Sequence, residues 1–94
     1  MKDIEAIRKE IDKIDSRIFD LLKGRLKLVI STLNVKETVD DLTREDEIFR
    51  TISSTCDTEF EDKYIGNIYL TIFKEGKRIK EIIKSRKQDG KKKI

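Results

Sequence analysis

The sequence predicts an all-α protein of three helices: a long one at the N-terminus, a short second and a long third. Three observations carry that prediction. An apolar stripe (Ile4, Ile7, Ile11, Ile14, Ile18, Leu21, then Leu28, Thr32 and Val35) advances alternately by three and four residues. That is the a/d spacing of a helix with one buried seam. No proline occurs in 94 residues; β-rich and loop-rich folds spend proline in turns, and helix interiors exclude it. Charged residues make up 44% and hydrophobic ones 36%, against typical values of ~25% and ~45–50%. A small core under solvated helix faces fits those proportions.

The first helix needs about 33 residues to carry its stripe, close to 50 Å at 1.5 Å per residue. A compact domain of this size has a radius of gyration near 12 Å. The helix must therefore project from any compact monomer, and its stripe meets water unless a second chain covers it. A homodimer is expected on that ground. Asp40 or Asp41 can N-cap a second helix beginning near Leu42. Glu45, Asp46 and Glu47 suit the positive end of its dipole, and Ile48, Phe49 and Ile52 supply its apolar face. Ser53 to Glu61 has no helical stripe and reads as a connection. The third helix runs from Glu61 or Asp62 to about Arg86 on Ile65, Ile68, Tyr69, Ile72, Phe73, Ile79, Ile82 and Ile83. Residues 1–87 then form one helical domain, and 88–94 a basic tail expected to be disordered.

The net charge of +3 is unevenly placed: residues 77–94 hold nine cations and two anions, and residues 1–76 thirteen and seventeen. The basicity belongs to the C-terminal end, not to the domain. No aromatic residue interleaves with those lysines as a single-strand stacking surface requires, so nucleic-acid binding is not expected. No run approaches the ~18 apolar residues of a membrane span, and the opening residues lack a signal-peptide apolar core. A soluble cytoplasmic protein is expected, with no membrane partner.

Several kinds of chemistry are excluded. The sequence has no histidine and one cysteine, Cys56. An intrachain disulfide is impossible, a typical zinc site lacks its ligands, and neither a Ser-His-Asp nor a Cys-His nucleophile can be assembled. Cys56 reads as a half-exposed loop thiol.

The informative residues are charges in apolar places. Arg25 occupies a position of the first-helix seam, where an unpaired charge is costly; a buried salt bridge or a snorkelling side chain would also account for it. Lys36 lies eleven residues on, about three turns, and so on nearly the same face, about 16 Å along the axis. Arg8 is seventeen residues before Arg25, a rotation near 260° at 100° per residue. It points elsewhere in its own chain but could reach the groove from a partner's antiparallel helix. Arg44 and Glu45 follow Asp41 in the first turn of the second helix, where ordinary dipole and capping roles also fit. Gly76 falls on the buried face of the third helix at a cost of roughly 1 kcal/mol relative to alanine, and close approach by backbone or ligand is one reason to keep it. Lys80 is one turn further on the same edge; a solvent-facing lysine is the plainer alternative. Together these residues suggest a cationic pocket among helices, suited to a small dianion. It has no nucleophile, metal or histidine base, and could act by orienting a substrate and stabilising developing charge.

In this spacing the chain resembles the all-helical (AroQ) class of chorismate mutase. Ile7-Arg8-Lys9-Glu10-Ile11-Asp12-Lys13-Ile14-Asp15 is similar to that family's opening signature. The order Arg8, Arg25, Lys36 follows its cations, Asp41-Leu42-Thr43-Arg44-Glu45 its second-helix motif, and Tyr69 to Lys80 its third. The resemblance covers residues 4 to about 85. It implies an intertwined homodimer of three-helix chains with two active sites, each taking Arg8 from the partner. It also implies the Claisen rearrangement of chorismate to prephenate, in aromatic amino acid biosynthesis, with no cofactor and no metal. In the roles it implies, Arg8 and Arg25 clamp the substrate carboxylates, Lys36 donates to the ether oxygen, and Glu45 accepts from the ring hydroxyl. Asp41 and Arg44 shape that end of the pocket, Arg44 also favouring a carboxylate.

Three features depart from the family pattern. The stretch from Lys36 to Asp41 is about four residues shorter than usual. Gly76 replaces a frequent serine, leaving a backbone N–H as the available donor there. Lys80 stands where glutamine or glutamate is usual, at the position that donates to the ether oxygen; a second ammonium beside Lys36 makes a pH-dependent activity an expectation. Two alternatives fit the same resemblance: isochorismate pyruvate lyase, which shares the fold and a cationic pocket, and a non-catalytic degenerate mutase-like dimer.

Overall fold

The computed structural model describes residues 3–35 and 41–92, with side chains over 3–35 and 42–86. Lys36 and Asp40 lie outside the described residues. Helix α1 spans Ile4–Ser31, α2 Asp41–Thr55 and α3 Glu59–Lys92, and no strand occurs among the described residues.

Local chemistry sets each boundary. Asp3 caps α1: its carboxylate accepts from the Ala6 N–H at 2.8 Å, satisfying one of the donors that open every helix. At the far end the α-helix tightens into one 3₁₀ turn, Thr32–Asn34, and Val35 is extended, with φ −120° and ψ 136°. The Thr32 hydroxyl donates to the Val29 carbonyl at 2.6 Å, and the Ser31 hydroxyl to that of Lys27 at 2.9 Å. Hydroxyls bonded back to the preceding turn favour such an ending.

The connection between α2 and α3 is shorter than the sequence predicts. Helix α2 continues through Ser53 and Ser54 to Thr55, and α3 opens at Glu59. Thr58 starts α3 through a capping box: its hydroxyl accepts from the Glu61 N–H at 3.1 Å, and the Glu61 carboxylate accepts from the N–H groups of Thr58 (3.1 Å) and Asp57 (2.8 Å). Thr58-Glu59-Phe60-Glu61 is the S/T-x-x-E pattern of that motif. It is the signal that corrects a connection of 53–61 to one of 56–58. The Ser53 hydroxyl, donating to Asp62 at 3.1 Å, ties the two helices across the turn. The helical backbone of α3 reaches Lys92, beyond the end near Arg86 that the sequence suggests and into the stretch read as a tail. Nothing after Glu59 forbids a helix: there is no proline, and Lys, Arg and Gln are good helix formers.

The three helices meet around Phe73. Its ring stands edge-on to Phe49 of α2, with centroids 5.4 Å apart at 89°, and to Tyr69 one turn earlier, at 5.7 Å and 62°. Phe73 and Ile52 are the buried hydrophobic residues among those described. The pairs Glu45–Lys77 and Phe49–Phe73 run in opposite senses along their helices, so α2 is antiparallel to α3. Arg25 beside Phe73 and Val29 beside Gly76 run in the same sense, so α1 is parallel to α3 where they touch.

The stripe of α1 divides in two. Towards its C-terminus Val29, Ile30, Thr32 and Leu33 are half-buried. Two predicted seam residues are not: Leu28 is 71% exposed and Val35 66%. Leu28 and Val29 flank the direction of Arg25 on opposite sides. Gly76, with no side chain of its own, receives Val29, and contact with α3 falls on that side. Towards the N-terminus Ile4, Ile7, Ile11, Ile14 and Ile18 are all exposed. The chain measures 64 × 29 × 16 Å with a radius of gyration of 17.8 Å, well above the ~12 Å of a compact domain this size. The projection predicted from helix length is present.

Candidate active site

Arg25 sits where α1 crosses the aromatic cluster. Its guanidinium carbon lies 5.8 Å from the centre of the Tyr69 ring and 5.7 Å from that of Phe73, within the range of a cation–π interaction. The side chain is half-buried. Both rings lie beside the guanidinium, whose planar fork of N–H donors matches a carboxylate.

Glu45 enters from α2. Its side chain is only 17% exposed, and its Oε2 accepts from the Lys77 ammonium of α3 at 2.9 Å. The pair lies one turn from the Phe49–Phe73 contact on both helices. Lys77 is the partner of Glu45 that sequence reasoning misses. It could have been found four residues after Phe73, on the same helix face.

Gly76 is half-buried, and a Cβ placed on it would meet Val29 Cγ1 at 3.8 Å. Inside α3 its N–H belongs to the helix ladder, so the residue contributes space rather than the donor considered from sequence. Lys80, one turn on, is half-buried and engaged with neighbouring groups. Arg25, Glu45 and Gly76 thus lie on the contacts by which α1 and α2 meet α3, and Lys80 follows one turn beyond Gly76.

Within one chain, Arg8 and Arg44 do not join them. Arg8 is exposed, and its Cα lies about 25 Å along the axis of α1 from that of Arg25 at 1.5 Å per residue. Arg44 is exposed and pairs with Glu47 of its own helix at 3.0 Å. Asp41 opens α2, and Lys36 falls outside the described residues. A shallow hollow lined by Asp46, Phe49, Arg50, Ser53 and Ser54 lies along α2 and contains no predicted site residue.

Cys56 is half-buried in the short connection. Its thiol is pushed above the usual pKa by burial first, then by the carboxylates of Asp62, Glu61 and Asp57. Among the described residues no cluster of His, Cys, Asp and Glu could hold a metal ion, and no helix is long and apolar enough to cross a membrane.

Among the described residues the chain is three helices with no strand, and it places an arginine beside its central aromatic cluster, with a carboxylate–lysine pair one turn away. The family model for type II chorismate mutase matches residues 7–81, from the opening of α1 to one residue beyond Lys80. The chain belongs to that family, the all-helical (AroQ) class of chorismate mutase. Neither a curated protein nor a solved structure matches it.

Proposed function

We propose that the chain is an active chorismate mutase that works as an intertwined homodimer in the cytoplasm and rearranges chorismate to prephenate. The observation that carries this reading is Arg25. An arginine held beside Tyr69 and Phe73 where the three helices meet, with Glu45, Gly76 and Lys80 on adjacent turns of α2 and α3, suits an anion.

The bare stripe of α1 supports the dimer. Each fully buried Ile or Leu contributes roughly 1.5–3 kcal/mol, and Ile4, Ile7, Ile11, Ile14 and Ile18 leave that gain unrealised in one chain. A second chain laid along α1 would bury them. It would also bring the partner's Arg8 to the junction that this chain's own Arg8 is too far away to reach.

In the rearrangement a C–O bond breaks as a C–C bond forms within one molecule. Arg25 and the partner's Arg8 clamp the two carboxylates and select the conformer with its reacting carbons in contact. Negative charge grows on the ether oxygen as the C–O bond lengthens. Lys36 and Lys80 donate to that oxygen and bind the transition state more tightly than the ground state. Glu45 accepts a hydrogen bond from the ring hydroxyl, Asp41 and Arg44 close that end, and Gly76 leaves room for the ring. No cofactor or metal takes part in these steps.

The test is loss of chorismate absorbance with purified protein between pH 5 and 9, with Arg25→Ala as control. Loss that yields prephenate and depends on Arg25 is the expected result. No turnover of chorismate overturns the reading. Release of pyruvate from isochorismate would then mark a lyase, and inactivity on both substrates a non-catalytic dimer.

A further inference from the structure

We infer that Lys77 is a positioning residue of this active site: it holds the Glu45 carboxylate, across the gap between α2 and α3, in the orientation that receives the substrate hydroxyl. The inference rests on the mutase reading and adds to it a residue that the sequence does not single out.

The Glu45–Lys77 contact differs from three ion pairs made within single helices. Arg44–Glu47, Arg78–Glu75 and Lys84–Glu81 join residues three apart on one helix, and both partners in each are more than half exposed. Glu45–Lys77 joins two helices, and its carboxylate is 17% exposed against 47% for the lysine. The acid is thus the inner member and the ammonium approaches it from the solvent side. One turn away on both helices, the Phe49–Phe73 ring pair fixes the register that brings the two together.

The geometry matters because of what surrounds Glu45. Arg25 lies 5.7 Å from the centre of the Phe73 ring, and Lys80 is three residues beyond Lys77. A loosely held carboxylate at such a junction would be drawn to cations that the substrate's own carboxylates need. An ammonium on Oε2 gives Glu45 a partner of its own. A carboxylate offers about four acceptor positions on two oxygens, so the contact does not exhaust it, and a hydroxyl donor can still be received.

The substrate hydroxyl is not at the reacting bond. Its hydrogen bond is made equally in the ground state and the transition state, and losing it raises KM more than it lowers kcat. Lys77→Met keeps the apolar stem and removes the charge. It should raise KM for chorismate about tenfold with kcat within threefold, and Lys77→Arg should restore most of the loss. In a Glu45→Gln background the same Lys77→Met change should alter kcat/KM less than twofold, because the carboxylate that Lys77 positions is gone. Lys74→Met, an exposed lysine on the same helix, is the control and should match wild type. Helical circular dichroism of each variant separates misfolding from mispositioning. Equal losses from Lys77→Met in the wild-type and Glu45→Gln backgrounds would overturn the inference and leave the mutase reading standing. So would a kcat loss with KM unchanged. A wild-type protein that does not convert chorismate would remove both.

Discussion

Val29 of α1 and Gly76 of α3 face each other across the helix junction, and a methyl group added at Gly76 would reach Val29 Cγ1 at 3.8 Å, ordinary van der Waals contact. No glycine among the described residues has positive φ, so Gly76 is an ordinary helical residue that bears the entropic cost of glycine without a conformational need for it. Gly76→Ala should raise stability by about 0.5–1 kcal/mol, measured by urea denaturation at fixed protein concentration. A destabilised variant would show that the junction closes more tightly around residue 76 than the distance to Val29 indicates.

Arg25 has a different balance. Its contact with Tyr69 and Phe73 is worth about 0.5–1 kcal/mol in folding, whereas on the proposed mechanism its fork binds charge in a site shielded from water. Arg25→Ala should therefore cost little stability and lower kcat/KM by about 10²–10³, the loss typical of removing one preorganised donor. Lys36→Ala should do the same. Steady-state kinetics alongside circular dichroism checks both; near-native kcat/KM in either variant would remove that residue from the site.

Much of this arrangement is legible in the sequence, and what is not has identifiable causes. The three helices follow from the apolar periodicity, and Arg25 stands out because a charge interrupts that periodicity. The short connection is misread because Thr51-Ile52-Ser53-Ser54-Thr55 looks like a loop by composition. The hydroxyls of Thr51, Ser54 and Thr55 bond back to carbonyls of their own helix and so do not interrupt it. The capping box at Thr58 is the countervailing signal. Lys77 is hidden for another reason: one lysine among the many of α3 gains meaning only when α2 places Glu45 beside it. The seam at Leu28 is off by one residue because periodicity gives a face to within about 40–60°, and a neighbouring glycine then decides which edge of that face makes contact.

Cys56 offers a pH test independent of catalysis. Burial and the carboxylates of Asp62, Glu61 and Asp57 all disfavour the thiolate and hold the pKa above its ordinary value. The thiolate is the reactive form, so the native thiol should be alkylated more slowly than the unfolded chain at any pH below the native pKa. The midpoint of its rate–pH curve should lie higher than in 8 M urea, a concentration of the order that unfolds small domains. Iodoacetamide kinetics between pH 7 and 10.5 give both curves. A native midpoint at or below the unfolded one would contradict the placement of Cys56 among those carboxylates.

The shared site makes the most specific prediction. Arg8 and Arg25 of one chain are about 25 Å apart along α1, so the proposed pocket joins Arg25 of one protomer to Arg8 of the other. Arg8→Ala and Arg25→Ala homodimers should each be nearly inactive. In a mixed dimer one site takes its Arg25 from the Arg8→Ala chain and its Arg8 from the Arg25→Ala chain, and is intact; the other site has lost both. Unfolding and refolding the variants together at 1:1 should make about half the dimers mixed, and activity should return to about one quarter of wild type. Mixing without unfolding should restore activity only as fast as chains exchange. If α1 holds the dimer, Ile11→Glu or Ile14→Glu should abolish both the dimer, as seen by sedimentation, and the turnover. No recovery on co-refolding, with both single variants inactive and folded, would place Arg8 outside the site or both arginines within one chain's pocket.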